Sequence, residues 1–294
     1  MEAYLIAIGI IALIYAILSL GLTLQYGLTG LINFGHVGFF AIGAYTSALL
    51  ALNGVPLIFS FVAAAALAGL AAWPIGLVSL RLRDDYFAIV TLGFSEVVRI
   101  VITSEKWLTN GVQGIPGIPR LYEGLAGSGA QLAVLITILA VTLIGVWIIR
   151  RIAGSPFGRL IEAIRDNEEA VQALGKDPAR FKIQVLVVGA ALAGIAGAFY
   201  AHYITYIVPD QFIPLVTFYV WMAIIMGGVG RVSGAIVGTA ILMLFLEGSR
   251  FLRDIIPGVS EVDMASVRIG VVGLLLVLFI MYRPQGLMGD YTKR

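Results

Sequence analysis

The chain has 294 residues, of which 60% are hydrophobic and only 12% are charged. Soluble domains carry about 25% charged residues, so a soluble globular fold could not bury this much apolar surface. There is no cysteine, which excludes disulfide bonds and thiolate metal ligands, and the net charge at pH 7 is +2. The composition therefore predicts an integral membrane protein.

Apolar segments of roughly 20 residues recur along the chain, which is the length that a helix needs to cross about 30 Å of hydrocarbon. They are continuous and rich in Leu, Ile, Val, Ala and Gly, whereas the strands of a membrane β-barrel alternate over about 10 residues. We therefore predict an all-α fold, a polytopic transmembrane helical bundle of about nine spans forming a single domain over residues 1–294. The predicted spans are 3–24, 33–52, 57–80, 86–103, 131–150, 183–206, 212–229, 232–249 and 265–282.

Basic residues are divided unequally between the two alternating sets of loops. One set holds most of the Lys and Arg residues, and the other holds only Lys106, Arg120, Arg250 and Arg253. Short loops rich in Lys and Arg stay cytoplasmic, so we expect the N-terminus outside and the C-terminus in the cytoplasm. Residues 1–10 contain no Lys or Arg, unlike the start of a cleavable signal peptide, so we expect the first span to be retained.

Two segments between spans are long enough to have a structure of their own. The external segment, 104–130, is rich in glycine and proline, which predicts turns and irregular backbone, and it is a candidate surface for an external partner. The cytoplasmic segment, 154–182, is polar and has a helical pattern. Its Ser155 and Pro156 predict a helix start, because a serine oxygen can accept from free backbone N–H groups and proline fits the first helical position.

A second helix start follows within the same cytoplasmic segment. Asp166, with Glu169 three residues later, has the pattern of a capping box, and these acidic residues also suit a helix N-terminus. Gly175 can end the helix in a left-handed conformation, and Pro178 prevents the helix from continuing. We therefore predict a short helix of about two turns over residues 167–174.

This short helix has an apolar stripe formed by Ala170, Val171 and Leu174. An isolated helix of this length is marginal in water, so it must pack either on the ends of its own spans or on another protein. The residues alone leave both alternatives open.

The sequence from Glu169 to Gly175, Glu-Ala-Val-Gln-Ala-Leu-Gly, resembles the EAA loop of ABC importer permeases. In that loop Glu-Ala-Ala is followed three residues later by Gly, and a short helix docks into a cleft on the ATPase. Here Val171 replaces the second Ala, and the Ile-x-Leu-Pro ending of the pattern is absent.

Further blocks, in the same order along nearly the whole chain, resemble the LivM-type permease of branched-chain amino acid importers. They are Gly30–His36, Gly43–Tyr45, Leu82–Gly93, Ser155–Arg159, Ala163–Glu168 and Arg283–Gly286. The resemblance implies a multi-pass protein of the bacterial inner membrane that forms half of the translocation path for branched-chain or other neutral amino acids. Related permeases carry urea or short amides, which we keep as an alternative cargo.

The resemblance also implies partners: a second related permease of the LivH type, two cytoplasmic ATPase subunits, an external substrate-binding protein and the lipid bilayer, but no nucleic acid. The sequence contains no Gly-x-x-x-x-Gly-Lys-Ser/Thr loop with which to hold ATP phosphates. We therefore expect no enzyme activity and no cofactor in this chain, with ATP and Mg bound by the partner ATPases.

The coupling of this chain to the ATPase is assigned, through the same resemblance, to the predicted short helix and its flanks. Charged residues would make the contacts at the rim, and the helix itself would receive the force. The candidate coupling residues are Arg165, Asp166, Glu168, Glu169, Ala170, Leu174 and Gly175.

Polar residues at membrane depth are costly and are therefore candidates for a functional role. Asn33 and His36 lie beside Gly35 at the predicted start of the second span, where an unwound turn could line a cavity. We take these three residues and Tyr45 as candidates for the translocation path or gate. For His36 the alternative is a hydrogen bond that holds two helices together.

Other ionisable residues have simpler explanations. Glu96 and Arg99 lie one helical turn apart and can pair with each other, and His202 should face a tightly packed neighbour. Two histidines and no cysteine make a metal site improbable, and no catalytic cluster is evident. A self-contained secondary transporter or channel would need an unpaired ionisable group at the bilayer midplane, and only the region of His36 offers one.

Overall fold

A computed structural model of the protein describes residues 2–79, 82, 84–122, 128–252, 261–282 and 285–288. In these residues no β-strand is formed, and Ile115 and Ile207 make one isolated antiparallel bridge. The predicted all-α fold is therefore confirmed.

Twelve α-helices, a π-helix and two 3₁₀ turns follow one another along the described chain. In order they are α1 Glu2–Leu22, the π-helix Thr23–Leu28, α2 His36–Leu52, α3 Leu57–Ser79, α4 Asp84–Ser104, α5 Lys106–Thr109, the 3₁₀ turn Gly111–Gln113, α6 Ser128–Ala153, α7 Pro156–Asp166, α8 Glu168–Ala173, α9 Pro178–Ile204, the 3₁₀ turn Pro209–Gln211, α10 Pro214–Gly227, α11 Val232–Leu252 and α12 Glu261–Tyr282.

Every predicted span overlaps one of the long helices, α1–α4, α6 and α9–α12. Among the residues that the structure describes, six helical stretches are long and apolar enough to cross a membrane, and two shorter apolar helices, His36–Leu52 and Val232–Gly248, accompany them. A polytopic helical membrane protein is thus confirmed, whereas nine as the number of spans stays a prediction.

The helix α9 lies at the centre of the bundle, where α1, α2 and α3 pack on it. Its buried face carries the small residues Gly189, Ala193, Gly197 and Ala201. Gly43 of α2 lies against the backbone of Gly194, and Gly197 lies against the carbonyl oxygen of Phe40, so a methyl group at any of these glycines would meet backbone atoms. Small residues allow such close helix packing where lipid gives no hydrophobic drive to associate.

The predicted unwound turn at the start of the second span is confirmed, and it moves the start of the helix from about residue 33 to His36. The first helix continues as the π-helix to Leu28, and residues 29–35 are not helical before α2 begins at His36. The reason is local: the side-chain oxygen of Asn33 accepts a hydrogen bond from the backbone N–H of Gly35 at 2.9 Å, which stabilises a turn in place of a helix. We call residues 29–35 the unwound segment.

The predicted start of α7 is confirmed, because Ser155 Oγ accepts from the N–H of Gly158 at 3.2 Å and Pro156 occupies the first helical position. The predicted capping box at Asp166 is wrong. Asp166 is the last residue of α7, and Asn167, which has an extended backbone, caps α8 by accepting from the N–H of Ala170 at 3.0 Å.

The short helix α8 therefore covers Glu168–Ala173, inside the predicted 167–174. Gly175 has a φ of +75°, so its predicted left-handed conformation is confirmed. Asp177 caps α9, which begins at Pro178, five residues before the predicted span. The segment 154–182 is thus made of α7, α8 and the first turn of α9.

The segment 104–130 is described up to residue 122 and from 128 onward. It contains the single-turn helix α5, a 3₁₀ turn and otherwise irregular backbone, as predicted. Ile115 exchanges backbone hydrogen bonds with Ile207, and the N–H of Ile118 donates to Thr205 O at 3.1 Å. These bonds attach the segment to the connection that follows α9.

Candidate coupling surface and membrane core

The apolar side chains of α8 face in two directions. Val171 is only 4% exposed and packs on its own chain, whereas Leu174 is 80% exposed. Ala170 and Ala173 are exposed as well, as is the carboxylate-bearing Glu169. The predicted stripe of Ala170, Val171 and Leu174 is therefore divided: one residue anchors the helix to its own chain and the other two point away from it.

Glu168 is engaged within the chain. Its Oε2 lies 2.7 Å from Nζ of Lys182, whose side chain is only 11% exposed although it is charged. A buried charge requires a partner, so this pair joins α8 to α9. The contact of Glu168 with the ATPase stays a prediction from the sequence.

Arg165, at the end of α7, reaches across to the first helix. Its Nη1 donates to the carbonyl oxygen of Gly27 in the π-helix at 2.8 Å, and its Nε donates to Asp166 Oδ1 at 3.0 Å. The last carbonyls of a helix have no partner within the helix, so a guanidinium satisfies one of them here. No local sequence pattern predicts this pairing, because Arg165 and Gly27 are 138 positions apart.

The unwound segment is held by buried polar side chains from several helices. Asn33 Nδ2 donates to Gln25 Oε1 at 2.8 Å, and Gln25 Nε2 donates in turn to the carbonyl of Leu186 in α9 at 3.2 Å. Trp221 Nε1 donates to the backbone oxygen of Asn33 at 3.0 Å. Irregular backbone inside a membrane protein must be satisfied by the protein itself, and these bonds provide this.

Threonines complete the anchoring of this region. Thr91 Oγ1 accepts from the N–H of Phe34 at 3.1 Å, and Thr217 Oγ1 accepts from the N–H of Val37 at 3.0 Å. Gln25, Thr91 and Thr217 were not singled out from the sequence. The available signal was weak, because single polar residues in apolar helices are common and their partners are distant.

The four candidate path residues are in the core of the chain. Asn33 and His36 are completely buried, Gly35 lies against the backbone of Thr91, and Tyr45 packs its ring 5.6 Å from that of Phe212. A role of Asn33, Gly35, His36 and Tyr45 in the path or gate stays a prediction.

His36 forms the alternative contact that the sequence allowed. Its Nε2 lies 3.1 Å from the carbonyl oxygen of Leu18, which joins α2 to α1. Within the described part of the chain, neither its Nδ1 nor the hydroxyl of Tyr45 has a hydrogen-bond partner.

The predicted pairing of Glu96 with Arg99 is confirmed at 2.7 Å. His202 is also tightly packed, since it lies 2.8 Å from Ser47 Oγ and 2.7 Å from the carbonyl of Pro119 and stacks on Phe61. In the residues that could be searched, no three His, Asp or Glu residues converge as metal ligands would.

Long apolar helices, buried side chains that bond the backbone of the unwound segment and a short surface helix with exposed apolar residues define a multi-pass membrane protein of α-helices. A family model described as "Branched-chain amino acid transport system / permease component" matches residues 4–281. The chain belongs to this family of membrane transport permeases.

Curated relatives agree with this assignment. The chain is 33% identical to the high-affinity branched-chain amino acid transport system permease protein LivM of Escherichia coli K12, over 96% of this chain and 69% of the relative. It is 26% identical to a probable LivM of Methanocaldococcus jannaschii and 26% identical to LivH of Salmonella typhimurium, in each case over 94% of this chain and 91% of the relative. No solved structure matches the chain.

Proposed function

We propose that this chain is one of two related permease subunits of an ATP-binding-cassette importer for branched-chain or other neutral amino acids. The observation that carries the proposal is an exposed apolar patch on an acidic surface helix in a chain of this permease family. The relatives support a pair of permeases, because proteins named LivM and LivH are both similar to it over at least 94% of its length.

The exposed patch consists of Glu169, Ala170, Ala173 and Leu174, and we call it the docking surface. Among the large apolar side chains on and around α8, Leu174 is the most exposed, at 80%. Protein interfaces place an apolar anchor at the centre and polar residues at the rim. Leu174 has the chemistry of such an anchor and Glu169 that of the rim, and a cytoplasmic ATPase subunit is the partner we assign to them.

The charges near α8 support a cytoplasmic location for this end of the bundle. Arg150 and Arg151 end α6, and Lys176 and Arg180 lie beside the start of α9. Basic residues next to spans favour the cytoplasmic side. The proposed topology therefore has the N-terminus outside and the C-terminus inside.

Energy would come from partner chains. The sequence lacks a phosphate-binding loop of the Gly-x-x-x-x-Gly-Lys-Ser/Thr type, so the two ATPase subunits would hold ATP and Mg. This chain would act without a cofactor and without catalysing a reaction of its own. An external binding protein would deliver the solute and make most of the selection.

The test is reconstitution with the second permease, the ATPases and the binding protein in proteoliposomes. Leu174→Asp should reduce the amount of co-purified ATPase and the ATP-dependent uptake of leucine by at least about tenfold, because a charge would be buried at the centre of the interface. Leu52→Asp is the matched control: Leu52 is 45% exposed and ends α2 at the opposite end of the bundle from α8.

Normal ATPase binding by Leu174→Asp would exclude the docking surface. Uphill leucine uptake by this chain alone, without ATPases, would instead make it a secondary transporter. Uptake of urea but not of leucine by the complete complex would retain the importer and change its cargo.

A further inference from the structure

We infer that Arg165 transmits movement of α7 and α8 to the unwound segment in the membrane core, as a positioning residue between the docking surface and the path. The inference rests on the proposed function, since it requires a partner that moves α8. It adds a specific mechanical connection that begins at the guanidinium of Arg165 and ends at the side chain of Asn33.

The first step of the connection is the contact of Arg165 with three glycines. Nη1 donates to the carbonyl oxygen of Gly27 at 2.8 Å. A Cβ atom at Gly30 would lie 3.1 Å from Cγ of Arg165, and one at Gly230 would lie 3.6 Å from Nη1. Because these positions have no side chains, the arginine lies directly against the backbone of the π-helix end and of the turn between α10 and α11.

The carbonyl of Gly27 is an effective point at which to apply force. It lies at the end of a helix whose final turn is π-helical, and the unwound segment follows directly after Leu28. Cations are stabilising at helix C-termini, and hydrogen bonds that involve an ionised group are stronger than neutral ones. A displacement of α7 therefore pulls on the last turn of this helix, directly before the unwound segment.

The second step runs from Gly27 to the core. Gln25, two residues earlier, donates to Leu186 O at 3.2 Å and accepts from Asn33 Nδ2 at 2.8 Å. Both bonds are completely buried, so breaking either leaves an unsatisfied amide in an apolar environment. Such a network has discrete made and broken states, which is what a switching element requires.

A parallel connection ends at the same glutamine. Glu168 of α8 pairs with Lys182 of α9 at 2.7 Å, and Leu186, which accepts from Gln25, lies one helical turn after Lys182. The helices α7 and α8 are thus connected to Gln25 by two routes. One runs through the first helix and the other through α9. Movement of α7 relative to α9 would change the distance between the first helix and α9 and would strain the hydrogen bonds of the Gln25 side chain.

The experiment uses the complete reconstituted importer and the variants Arg165→Gln, Arg165→Lys and Arg159→Gln. Arg159 is an exposed arginine on the same helix and serves as the matched control. We expect Arg165→Gln to assemble with the ATPases and to hydrolyse ATP, but to import at least about fivefold less leucine per ATP, the lower limit of common allosteric couplings. Arg165→Lys should recover part of this ratio, and Arg159→Gln should keep all of it.

Three results would overturn the inference without refuting the docking surface. An unchanged leucine-to-ATP ratio in Arg165→Gln excludes transmission through this residue. Loss of ATPase binding in Arg165→Gln, with a folded chain, makes Arg165 a docking residue instead. An equal loss in Arg159→Gln attributes the effect to charge and not to the contact with Gly27.

A spectroscopic measurement keeps the inference testable if Arg165→Gln does not accumulate. The chain has no cysteine, so Ile32→Cys places a single spin label on the unwound segment of an otherwise native subunit. Its spectrum should differ between the nucleotide-free complex and the complex trapped with ATP, and in Arg165→Lys the difference should be smaller. An identical spectrum in both states of the unsubstituted complex would overturn the inference. A complex that fails to assemble with the native Arg165 would refute the proposed function instead.

Discussion

Lys182 Nζ and Glu168 Oε2 are 2.7 Å apart, and this pair joins a surface helix of six residues to the central helix of the bundle. The ammonium group is nearly buried and the carboxylate is only partly so, with side-chain exposures of 11% and 39%. The lysine therefore depends on its partner more than the glutamate does.

Glu168→Gln should lower the free energy of unfolding by about 1 to 3 kcal/mol, because it removes the carboxylate that pairs with the nearly buried ammonium group of Lys182. Lys182→Met combined with Glu168→Gln should recover most of the loss. Thermal unfolding in detergent measures both. Arg180→Gln removes the exposed pair with Asp177, in which the arginine side chain is 82% exposed, and should cost less than about 1 kcal/mol. An effect of Glu168→Gln as small as that of Arg180→Gln would contradict the structural role of the pair.

Gly175→Pro should abolish coupling between ATP hydrolysis and uptake and leave the membrane bundle folded. Proline fixes φ near −65° and has no N–H, whereas Gly175 has a φ of +75° and donates to Gln172 O at 2.9 Å. In the variant, the backbone that connects α8 to α9 must therefore leave α8 in a different direction. Uptake per ATP in proteoliposomes is the measurement.

Gly54→Pro is the control for this change, because Gly54 has a φ of +82°, donates to Ala51 O and has no atom within 4 Å of a built Cβ. It lies in the turn between α2 and α3, away from α8. A similar loss of coupling in both variants would show that any strained turn has this effect, and the special role of Gly175 would be lost.

Thr91→Val should destabilise the protein by about 1 to 3 kcal/mol, because the N–H of Phe34 in the unwound segment loses its acceptor in a partly buried site. Thr103→Val on the same helix is the matched control. Within the described part of the chain its hydroxyl bonds only to the carbonyl of Arg99, one turn earlier, so its removal leaves no described backbone N–H without a partner. Equal unfolding temperatures for the two variants would argue against the anchoring of Phe34.

Gly197→Ala should destabilise the bundle by about 1 to 3 kcal/mol, since its methyl group would meet the carbonyl oxygen of Phe40 and the nitrogen of Ala44. Gly93→Ala, also within a helix, has no atom within 4 Å of its new Cβ and should be neutral or slightly stabilising. The yield of monodisperse protein and its melting temperature distinguish the two. Tolerance of Gly197→Ala would mean that α2 and α9 are not in backbone contact.

Local signals account for most of what the sequence predicted correctly. Apolar runs predicted the long helices, and Ser155 with Pro156 predicted the start of α7, because each signal depends only on neighbouring residues. The start of α8 was misplaced by one residue. Asp166 and Asn167 can both cap a helix, and the choice depends on how far α7 continues.

The contacts that the sequence did not predict are distant along the chain. Gln25 with Leu186 and Asn33 with Trp221 are separated by 161 and 188 positions, and neither partner shows from the sequence that the other is near. The π-helix likewise has no recognisable sequence pattern. The membrane core was therefore predictable as a region, through Asn33 and His36, but not as a network.

The hydrogen bonds that join α10 to the backbone around the unwound segment have a consequence for how the protein is inserted into the membrane. Thr217 and Trp221, which satisfy Val37 and Asn33, are synthesised 180 and 188 residues after their partners. At 5 to 20 residues per second, this interval is roughly 10 to 40 s. During that time the polar backbone around residue 33 must stay hydrated or be sheltered by the insertion machinery.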